Sequence, residues 1–457
     1  MPTSADTDAA ALRREMLARP LRPYELLQTV AEVTTPASLA AGEARVKAKF
    51  PGYRMAHQPP IPWDDANRSR NYRQHAWEPL RDIFIAHRTA GGDALLQAIL
   101  AYARDWRDQF WRPAAGRSVA GTLASAGKGA DEAFAWYDMA VGLRAYRLAY
   151  LLDVLARDDR VEDAEVAEWF DCLRFHLELL ADPAFFRGHN NHGLYQALGQ
   201  VAAARRFAWA PGFADHEALG RQRLEALIRV QFKPDGAQAE HSPGYHHAIL
   251  GTLLGARASG IVEGGAVADI LARAEACLGW MITPGGGLPT IGDTDPRPVL
   301  TSPELTGGYA EPDVRWLLTG GATGTPPAPG VQAYPQGGYA FARLFPPGGD
   351  PAAASYLAQA CAFHSRTHKQ ADHLTFVWHE GATAILTDPG RFGYLGRTQP
   401  GDGLFEQGFW YADPRRRYVE STRAHNCLEV DGRDHPRLGA EPFGSALRTA
   451  ELQDGLA

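Results

Sequence analysis

The sequence predicts a chain of two structural classes, in which paired helices of an α/α toroid or solenoid come first and an antiparallel β-domain follows. Two observations predict this order. The apolar residues recur at helical spacing from about residue 10 to residue 320, and they alternate at strand spacing after residue 338. A stretch rich in proline and glycine separates the two regions.

The helical spacing is clear in DAEVAEWFDCLRFHLELLAD, residues 163–182. Its apolar residues recur every three or four positions, which places them on one face of an amphipathic helix: Val166, Phe170, Leu173, Leu177 and Leu180. Similar stretches lie near 192–206, 244–258 and 264–281, with short joints rich in glycine, proline and aspartate between them. About ten such helices in antiparallel pairs favour the toroid or solenoid.

The segment TGGATGTPPAPGVQAYPQGG, residues 319–338, is the richest in proline and glycine and is typical of a linker. Beyond it, HLTFVWHE (373–380) alternates apolar residues between two faces, as a strand does. The segments YAFARLF, SYLAQACAFH, TAILTD and CLEVDG are also strand-like. We therefore predict a helical domain at 1–320, a linker at 321–338 and an antiparallel β-domain at 339–457. The β-domain is short, so we expect it to be truncated at its C-terminus.

Composition excludes several classes of function. The 457 residues carry a net charge of −7, with 46 basic and 53 acidic side chains. The chain therefore has no overall positive charge that would attract it to nucleic acid or to a membrane surface. The four cysteines form no CxxC pair, and buried free thiols are the expectation. No secretory signal precedes the helical region, which predicts a cytoplasmic protein, or a periplasmic one if a leader was removed.

Two stretches place polar residues where a helix begins. In DGAQAEHSPGYHHAIL (235–250), Ser242 and Pro243 predict an N-cap and a first helical residue, so that Tyr245 lies in the first turn. A free helix start stabilises a carboxylate and would let a tyrosine beside it ionise more readily. The alternative is an ordinary capped helix in which the tyrosine only packs against neighbouring side chains.

The second stretch, RGHNNHGLYQALGQVAAARRF from residue 187, places His189, Asn190, Asn191 and His192 before a helix. One interpretation makes Asn190 or Asn191 an N-cap and leaves His192 on the surface. The other makes Asn191 and His192 donors to an anionic substrate. Two such helix starts in one chain favour a substrate-binding site over two unrelated helix caps.

Two further stretches lie at strand ends. His364, Arg366, His368 and His373 precede one strand in FHSRTHKQADHLTFVWHE, and Asp388 ends its hairpin partner. His425 and Asn426 follow in RAHNCLEVDG. Histidine and aspartate at strand ends can bind a metal ion or form a hydrogen-bonded structural cluster, and the spacing leaves both open.

These pieces together resemble the heparinase II/III-like polysaccharide lyases. The matching segments follow the order of that family: HQPPIPWDDANRSRNY (57–72), FAWYDMAVGLRA (134–145), HNNHG (189–193), DGAQAEHSPGYHH (235–247), LPTIGDTD (288–295), HKQADHLTF (368–376), LTDPG (386–390) and AHNCLEVDG (424–432). The resemblance implies an incomplete (α/α) toroid followed by an antiparallel β-sandwich. It also implies β-elimination at a uronic acid of an acidic polysaccharide or oligosaccharide, of heparan or alginate type.

The resemblance assigns roles residue by residue. Tyr245 matches the catalytic tyrosine, a general acid that in some schemes is also the base. Asn191 and His192 match the pair that neutralises the substrate carboxylate, and in some relatives this histidine is proposed as the base. His368 completes the catalytic set. We expect further contacts to substrate from these residues: His189, Glu240, His246, Arg144 and Arg366.

The chain also departs from the family. Several relatives hold zinc with a second histidine of the β-domain motif, a later aspartate and a later histidine. Here the first of these positions is Gln370, while Asp388 and His425 remain. Glutamine is a poor zinc ligand. We therefore expect that no cofactor is required and that a structural zinc is doubtful, with Asp388 and His425 as the candidate ligands.

Two other classes stay open. A glycoside hydrolase needs two opposed carboxylates, which Asp235, Glu240, Asp293 or Asp295 would supply. A glycan-binding protein without catalysis would need neither these carboxylates nor Tyr245. The sequence does not indicate an oligomeric state.

Overall fold

A computed structural model of the chain describes residues 9–27, 60–61, 63–64, 68–125, 134–437 and 440–451. Part of the predicted N-terminal signature, at 57–59, 62 and 65–67, lies outside these residues. The described residues group into two units. One contains residues 9–26 and 60–227, and the other contains Leu27 and the residues from 228 onward.

The first unit is helical. Its helices are α1 (Ala9–Leu17), α2 (Arg68–His75), α3 (Arg81–Ala90), α4 (Asp93–Trp106), α5 (Val119–Ser125), α6 (Asp138–Leu155), α7 (Asp163–Ala181), α8 (Asn191–Arg206) and α9 (Phe213–Gln231), whose last residues belong to the second unit. The apolar face predicted for α7 is confirmed, because each of its five residues is at most 2% exposed.

Helices α6 and α8 approach each other closely because a glycine lies on each side of the contact. A Cβ atom at Gly199 would lie 1.9 Å from the carbonyl oxygen of Gly142. A Cβ atom at Gly142 would lie 2.6 Å from the carbonyl oxygen of Tyr195. Only residues without a Cβ allow this backbone spacing. The contact fixes the start of α6, at Asp138, relative to the start of α8, which carries His192.

The second unit begins with helices and ends with strands. Its helices are α10 (Pro243–Ala258), α11 (Gly265–Met281), α12 (Pro312–Leu318), α13 (Gly403–Glu406) and α14 (Pro414–Glu420). Its strands are β1 (Gly330–Tyr334), β2 (Tyr339–Leu344), β3 (Ser355–Ala360), β4 (Ala362–Phe363), β5 (Phe376–Glu380), β6 (Thr383–Leu386) and β7 (Gly444–Ser445). The helices predicted near 192–206, 244–258 and 264–281 are therefore confirmed.

Five of these strands form one antiparallel sheet in the order β1–β2–β3–β5–β6, and β4 pairs with β7. The predicted alternation is confirmed inside β5, where Val377 is buried and Trp378 is exposed. Leu374 was predicted on the same strand, but it precedes β5 and has a positive φ of 65°. A leucine in that conformation cannot continue a strand.

Two sequence predictions about this region were wrong, one for a strand and one for the linker. The segment 427–432 forms no strand, and only an isolated bridge joins Val430 to Arg433. Leu428 and Val430 are 73% and 65% exposed, so their apolar pattern does not mark a buried face. The segment 321–338 is not wholly a linker, because its residues 330–334 form β1 and pair with β2.

The fold class is confirmed: helices of the (α/α) toroid class come first and antiparallel sheet follows. Secondary structure changes type after α12, close to the predicted boundary at residue 320, whereas the two units divide at residue 227. The units therefore group helices α10–α12 with the sheet. No helix within the described part of the chain combines the length and the apolar character that crossing a membrane requires.

Candidate active site

The second unit brings together two of the predicted catalytic residues, Tyr245 and His368. Their rings stack with centroids 3.7 Å apart and planes 23° from parallel. The His368 Nδ1 atom lies 3.0 Å from Asp293 Oδ2. The hydroxyl groups of Tyr245 and Tyr394 lie 3.1 Å apart, and the Tyr394 hydroxyl donates to Asp293 Oδ2 at 2.8 Å. These four side chains form one hydrogen-bonded cluster, which we call the Tyr245 cluster.

Tyr245 is placed by the start of α10, and the predicted cap is confirmed. Ser242 is the N-cap, its hydroxyl accepts from the Tyr245 amide, and Pro243 is the first helical residue. The Thr294 hydroxyl accepts from the Gly244 amide at 3.1 Å. The prediction that this helix start offers free amides to a carboxylate is therefore wrong for these two positions, because protein hydroxyls already occupy them.

Asp293 follows a position that only glycine fits. Gly292 has a φ of 57°, and a Cβ atom there would lie 2.3 Å from the His241 carbonyl oxygen. The other Asp293 oxygen, Oδ1, accepts from Arg416 and Gln370, each at 2.8 Å. Burial by itself would raise the pKa of Asp293, but Arg416 and then the bond from His368 outweigh burial and hold the pKa well below its usual value. Asp293 is therefore a fixed negative charge.

Tyr245 keeps its proton. Burial, and then the negative charge of Asp293, raise the pKa of the Tyr245 hydroxyl well above its usual value. The prediction that this tyrosine ionises more readily is therefore wrong, because burial and a carboxylate oppose the helix start. A neutral tyrosine can donate a proton to a leaving oxygen, as the predicted general acid requires.

Glu240 approaches the same histidine from its other side. Its Oε2 atom lies 3.5 Å from His368 Nε2, and the side chain is buried. Neither carboxylate oxygen accepts a hydrogen bond from the residues that the structure describes. His368 thus lies between two carboxylates, with Asp293 at Nδ1 and Glu240 at Nε2. Glu240 was predicted to contact substrate, and its described neighbour in the site is His368.

The first unit holds a similar arrangement around His192. The His192 Nδ1 atom lies 3.0 Å from Asp138 Oδ1, and the Tyr137 hydroxyl lies 3.4 Å from the same nitrogen. Arg187 donates to Asp138 Oδ2 at 3.0 Å. Burial alone would raise the pKa of Asp138, but the bond from His192 and then Arg187 lower it. We call these four side chains the His192 cluster.

The neighbours of His192 take separate roles. Asn190 is the N-cap of α8, and its side chain accepts from the His192 amide at 3.0 Å. The side chain of Asn191 makes no hydrogen bond to any residue in the described ranges, so it is available to a ligand. His189 is exposed. Asn191 and His192 belong to one unit and Tyr245 and His368 to the other, so their meeting around one sugar ring stays a prediction.

His246 does not face a substrate, and its predicted role there was wrong. The side chain is completely buried. Its Nδ1 accepts from the Gln238 amide at 3.2 Å, and its Nε2–H donates to the Ala274 carbonyl at 2.8 Å. Burial lowers the pKa of His246 to about 4, so the ring is neutral near pH 7. His246 ties α10 to a loop and to α11.

Arg144 was also predicted at the substrate, and this prediction was wrong. It is wholly buried, and its guanidinium lies 3.9 Å from the centroid of the Trp106 ring. It donates to His176 Nε2 at 2.9 Å and to the carbonyl oxygens of His75 and Ala135. Burial lowers its pKa to about 9. Arg144 is a structural residue of the helical core.

The candidate zinc ligands fit a protein-only cluster better than a metal site. His425 Nδ1 lies 2.9 Å from Asp388 Oδ2, which also accepts from Thr375 at 2.7 Å. Gln370, which stands where several relatives have the first zinc ligand, donates to Asp293 and to the Gly390 carbonyl. Among the described residues, no three histidine, cysteine or acidic side chains group to hold a metal ion. Two strong donors fall short of the usual zinc site, so we derive no step through a metal.

The sequence reasoning missed residues that the geometry makes central. Tyr394 and Arg416 come from the loop and helix that follow β6, and no motif singled them out. Asp293 lies in the segment LPTIGDTD, but it was considered only as a hydrolase carboxylate. Asp138 lies in FAWYDMAVGLRA, and its position at the start of a helix was the available signal.

Comparisons with known proteins agree with this architecture. The family model described as the heparinase II/III N-terminus matches residues 55–267, and the model described as heparinase II/III-like, C-terminal, matches residues 326–454. Together the two matches span most of the chain. No curated protein sequence matches the chain.

Solved structures share the fold at low identity. A crystal structure of heparinase III matches with a TM-score of 0.67 at 16% identity, covering 93% of this chain and 67% of the other. The heparinase III BT4657 gene product matches with a TM-score of 0.61 at 17% identity, covering 93% and 66%. A mutant heparan sulfate lyase HepC from Pedobacter heparinus matches with a TM-score of 0.61 at 17% identity, covering 93% and 65%. This chain spans about two thirds of the length of these structures.

Proposed function

Because this chain belongs to the heparinase II/III-like family, we propose that it is a polysaccharide lyase that cleaves a uronic-acid-containing glycan by β-elimination. The observation that carries the proposal is the Tyr245 cluster. A protonated tyrosine stacks on a histidine, and that histidine is held between Asp293 and Glu240. An acid positioned in this way suits the protonation of a sugar oxygen.

The proposed reaction moves one proton from carbon and adds one to oxygen. A base takes the proton from C5 of the uronic acid, and the electron pair forms the C4–C5 double bond. The bond from C4 to the 4-oxygen then breaks, and that oxygen receives the proton of Tyr245. Proton transfer later restores Tyr245, so no water is consumed. The products are an unsaturated uronate and a free hydroxyl group.

We assign the base to His192. Asp138 accepts from Nδ1–H, which leaves the lone pair of Nε2 free, since Nε2 makes no hydrogen bond to a described residue. His368 is a poorer candidate, because Glu240 lies 3.5 Å from its Nε2. The Asn191 amide would donate to the substrate carboxylate and stabilise the charge that develops as C5 loses its proton.

A hydrolase is less well supported, because its candidate carboxylates are occupied. Asp235 accepts from the backbone amides of residues 336 and 337 at 2.8 Å, and Asp295 pairs with Arg391. Asp293 pairs with Arg416, which together with His368 keeps its pKa low, so it cannot serve as a general acid. Only Glu240 remains, whereas hydrolysis needs a pair.

The proposal is tested by incubating the protein with a panel of uronate polymers and oligomers. Heparan-type substrates are assayed first and alginate-type substrates second, because the similar solved structures are named as heparinases and heparan sulfate lyases. We expect ultraviolet absorbance from the new double bond to rise with time, and products of the mass expected for elimination. Chain cleavage without the chromophore would indicate hydrolysis. Binding without any cleavage across the panel would indicate a glycan-binding protein.

A further inference from the structure

A cavity of about 80 Å³ opens beside the Tyr245 cluster, within the second unit. His368, Asp293 and Tyr394 line one side of it, and the other lining residues include Arg366, Lys369, Trp410, Tyr411, Arg416, Glu420 and Arg437. By the same measure of volume, about 10–15 Å³ holds one water molecule. The cavity therefore has room for a group the size of a carboxylate or sulfate.

Within the described part of the chain, one of the arginine and lysine side chains around the cavity forms no ion pair with a carboxylate. Four cationic side chains line it, and three carboxylates pair with them. Asp293 pairs with Arg416, Glu420 with Arg416 and Arg437, and Asp372 with Lys369. The positive charge left over is that of Arg366. His368 also lines the cavity, but it lies between Asp293 and Glu240, so Arg366 is the cation there that has no carboxylate partner among the described residues.

Two arginines offer unused donors. Arg366 is exposed, and its one described side-chain bond runs from Nε to the Arg437 carbonyl at 3.0 Å, so its terminal nitrogens bond no described residue. Arg416 is 3% exposed, and its Nη1 has no hydrogen-bond partner among the described residues. A buried donor without an acceptor costs free energy, which an anion in the cavity would relieve.

The rim of the cavity suits a sugar. Trp410 is 39% exposed and Tyr411 lies beside it in sequence, so an aromatic face borders the cationic group. Aromatic side chains with one apolar face and one polar edge serve partly hydrated ligands well. A sugar ring would lie against this face while its charged substituent enters the cavity.

We propose that this cavity is an anion subsite, which takes one carboxylate or sulfate group carried by the sugar next to the uronate that is cleaved. The subsite rests on the proposed lyase function, since the cleaved sugar is placed by the Tyr245 cluster. Arg366 is the residue that gives the subsite its net charge. The chain should therefore prefer glycans in which the neighbouring sugar is charged.

Three oligosaccharides of equal length test the subsite. They carry on the neighbouring sugar an N-acetyl group, an N-sulfate group or a carboxylate. Each is assayed by ultraviolet absorbance with the wild-type protein, with Arg366→Gln and with the control Arg448→Gln, which removes an exposed arginine with no described side-chain contact. The N-sulfate and carboxylate arms show which source of negative charge the cavity takes.

We expect Arg366→Gln to raise KM about tenfold on the charged substrates, as the loss of a charge-assisted hydrogen bond would. On the N-acetyl substrate KM should change less than about twofold, and kcat should change little on all three. Arg448→Gln should behave as wild type. An equal rise of KM on all three substrates, or a wild-type protein that does not discriminate among them, overturns the subsite.

If no substrate yields an unsaturated product, the proposed lyase function fails instead. Equilibrium binding of the same three oligosaccharides to the wild-type protein and to Arg366→Gln then decides the subsite by itself. Weaker binding of only the charged compounds to Arg366→Gln supports it, and equal binding by both proteins overturns it.

Discussion

The His192 cluster resembles the surroundings of Asp293 in the Tyr245 cluster, but the two differ in burial. In each, a buried aspartate bonds a histidine Nδ1 through one oxygen and an arginine through the other, with a tyrosine hydroxyl near that nitrogen. The side chain of Arg187 is 48% exposed, whereas that of Arg416 is 3% exposed. The first cluster is thus open to solvent and the second is enclosed, which predicts that the same substitution has different effects in each.

The largest expected effect comes from the tyrosines. Tyr245→Phe should lower the rate of elimination by about 10²–10⁴-fold, the usual contribution of a positioned acid. The fold should survive, because the lost hydroxyl bonds only Tyr394 among described residues. Steady-state rates with circular dichroism of the variant check this.

Tyr137→Phe removes a tyrosine hydroxyl from the other cluster, where Tyr137 occupies the place that Tyr394 has beside His368. Its hydroxyl is 3.4 Å from His192, so the loss should be at most about tenfold. If Tyr245→Phe keeps more than about a tenth of the wild-type rate, Tyr245 is not the acid.

Replacing the aspartate of each cluster by asparagine should lower the free energy of unfolding by different amounts. Asp293→Asn leaves Glu420 as the carboxylate partner of the buried Arg416 and removes the charged acceptor of His368, which should cost about 2–3 kcal/mol of unfolding free energy. Asp138→Asn leaves Arg187 able to reach water, so it should cost about 1–2 kcal/mol. Urea denaturation of the two variants measures the difference, and equal losses would mean that burial of the arginine does not matter.

The close contact of α6 and α8 can be broken without touching a charge. Gly199→Ala places a methyl group where the Gly142 carbonyl lies, and overpacking of this kind costs about 1–3 kcal/mol. Since the contact also spaces Asp138 from His192, the variant should lose activity as well as stability. Thermal melts and rates check both, with Gly188→Ala as control because a Cβ atom there meets nothing closer than 3.5 Å.

The buried histidines give stability a dependence on pH. The folded pKa of His246 is about 4, below the unfolded value of about 6.5, because burial disfavours the charged ring. Between these values the unfolded chain binds more protons, so stability should be complete above pH 6.5 and fall as the pH drops towards 4. Melting temperatures across this range measure it. His246→Gln should be less stable than the wild type at pH 7, but its melting temperature should fall less as the pH drops. If the melting temperature of the variant depends on pH as steeply as that of the wild type, His246 is not the cause of the dependence.

The smallest expected effect is that of a chelator. Because Asp388 bonds His425 directly and Gln370 bonds Asp293, we expect a strong chelator to leave the melting temperature unchanged. A fall of several degrees that zinc reverses would contradict this and would restore a structural metal to the β-domain.

The contrast between local and distant signals explains what the sequence could predict. The cap at Ser242 and Pro243 was predictable because capping depends on adjacent residues. Arg144 and His246 were misassigned because only tertiary packing decides whether a polar side chain is buried. Tyr394 and Arg416 reach Asp293 from positions 101 and 123 residues further along the chain, and no local pattern encodes such a meeting.

The backbone at His368 has a φ of 56°, in the left-handed region that residues with a side chain rarely adopt. Holding it there costs about 1–3 kcal/mol. Glycine would relieve that cost but would remove the imidazole that stacks on Tyr245. His368→Gly should therefore lose turnover without gaining heat resistance, because it also removes the bond to Asp293 and leaves the buried Glu240 without its neighbour in the site.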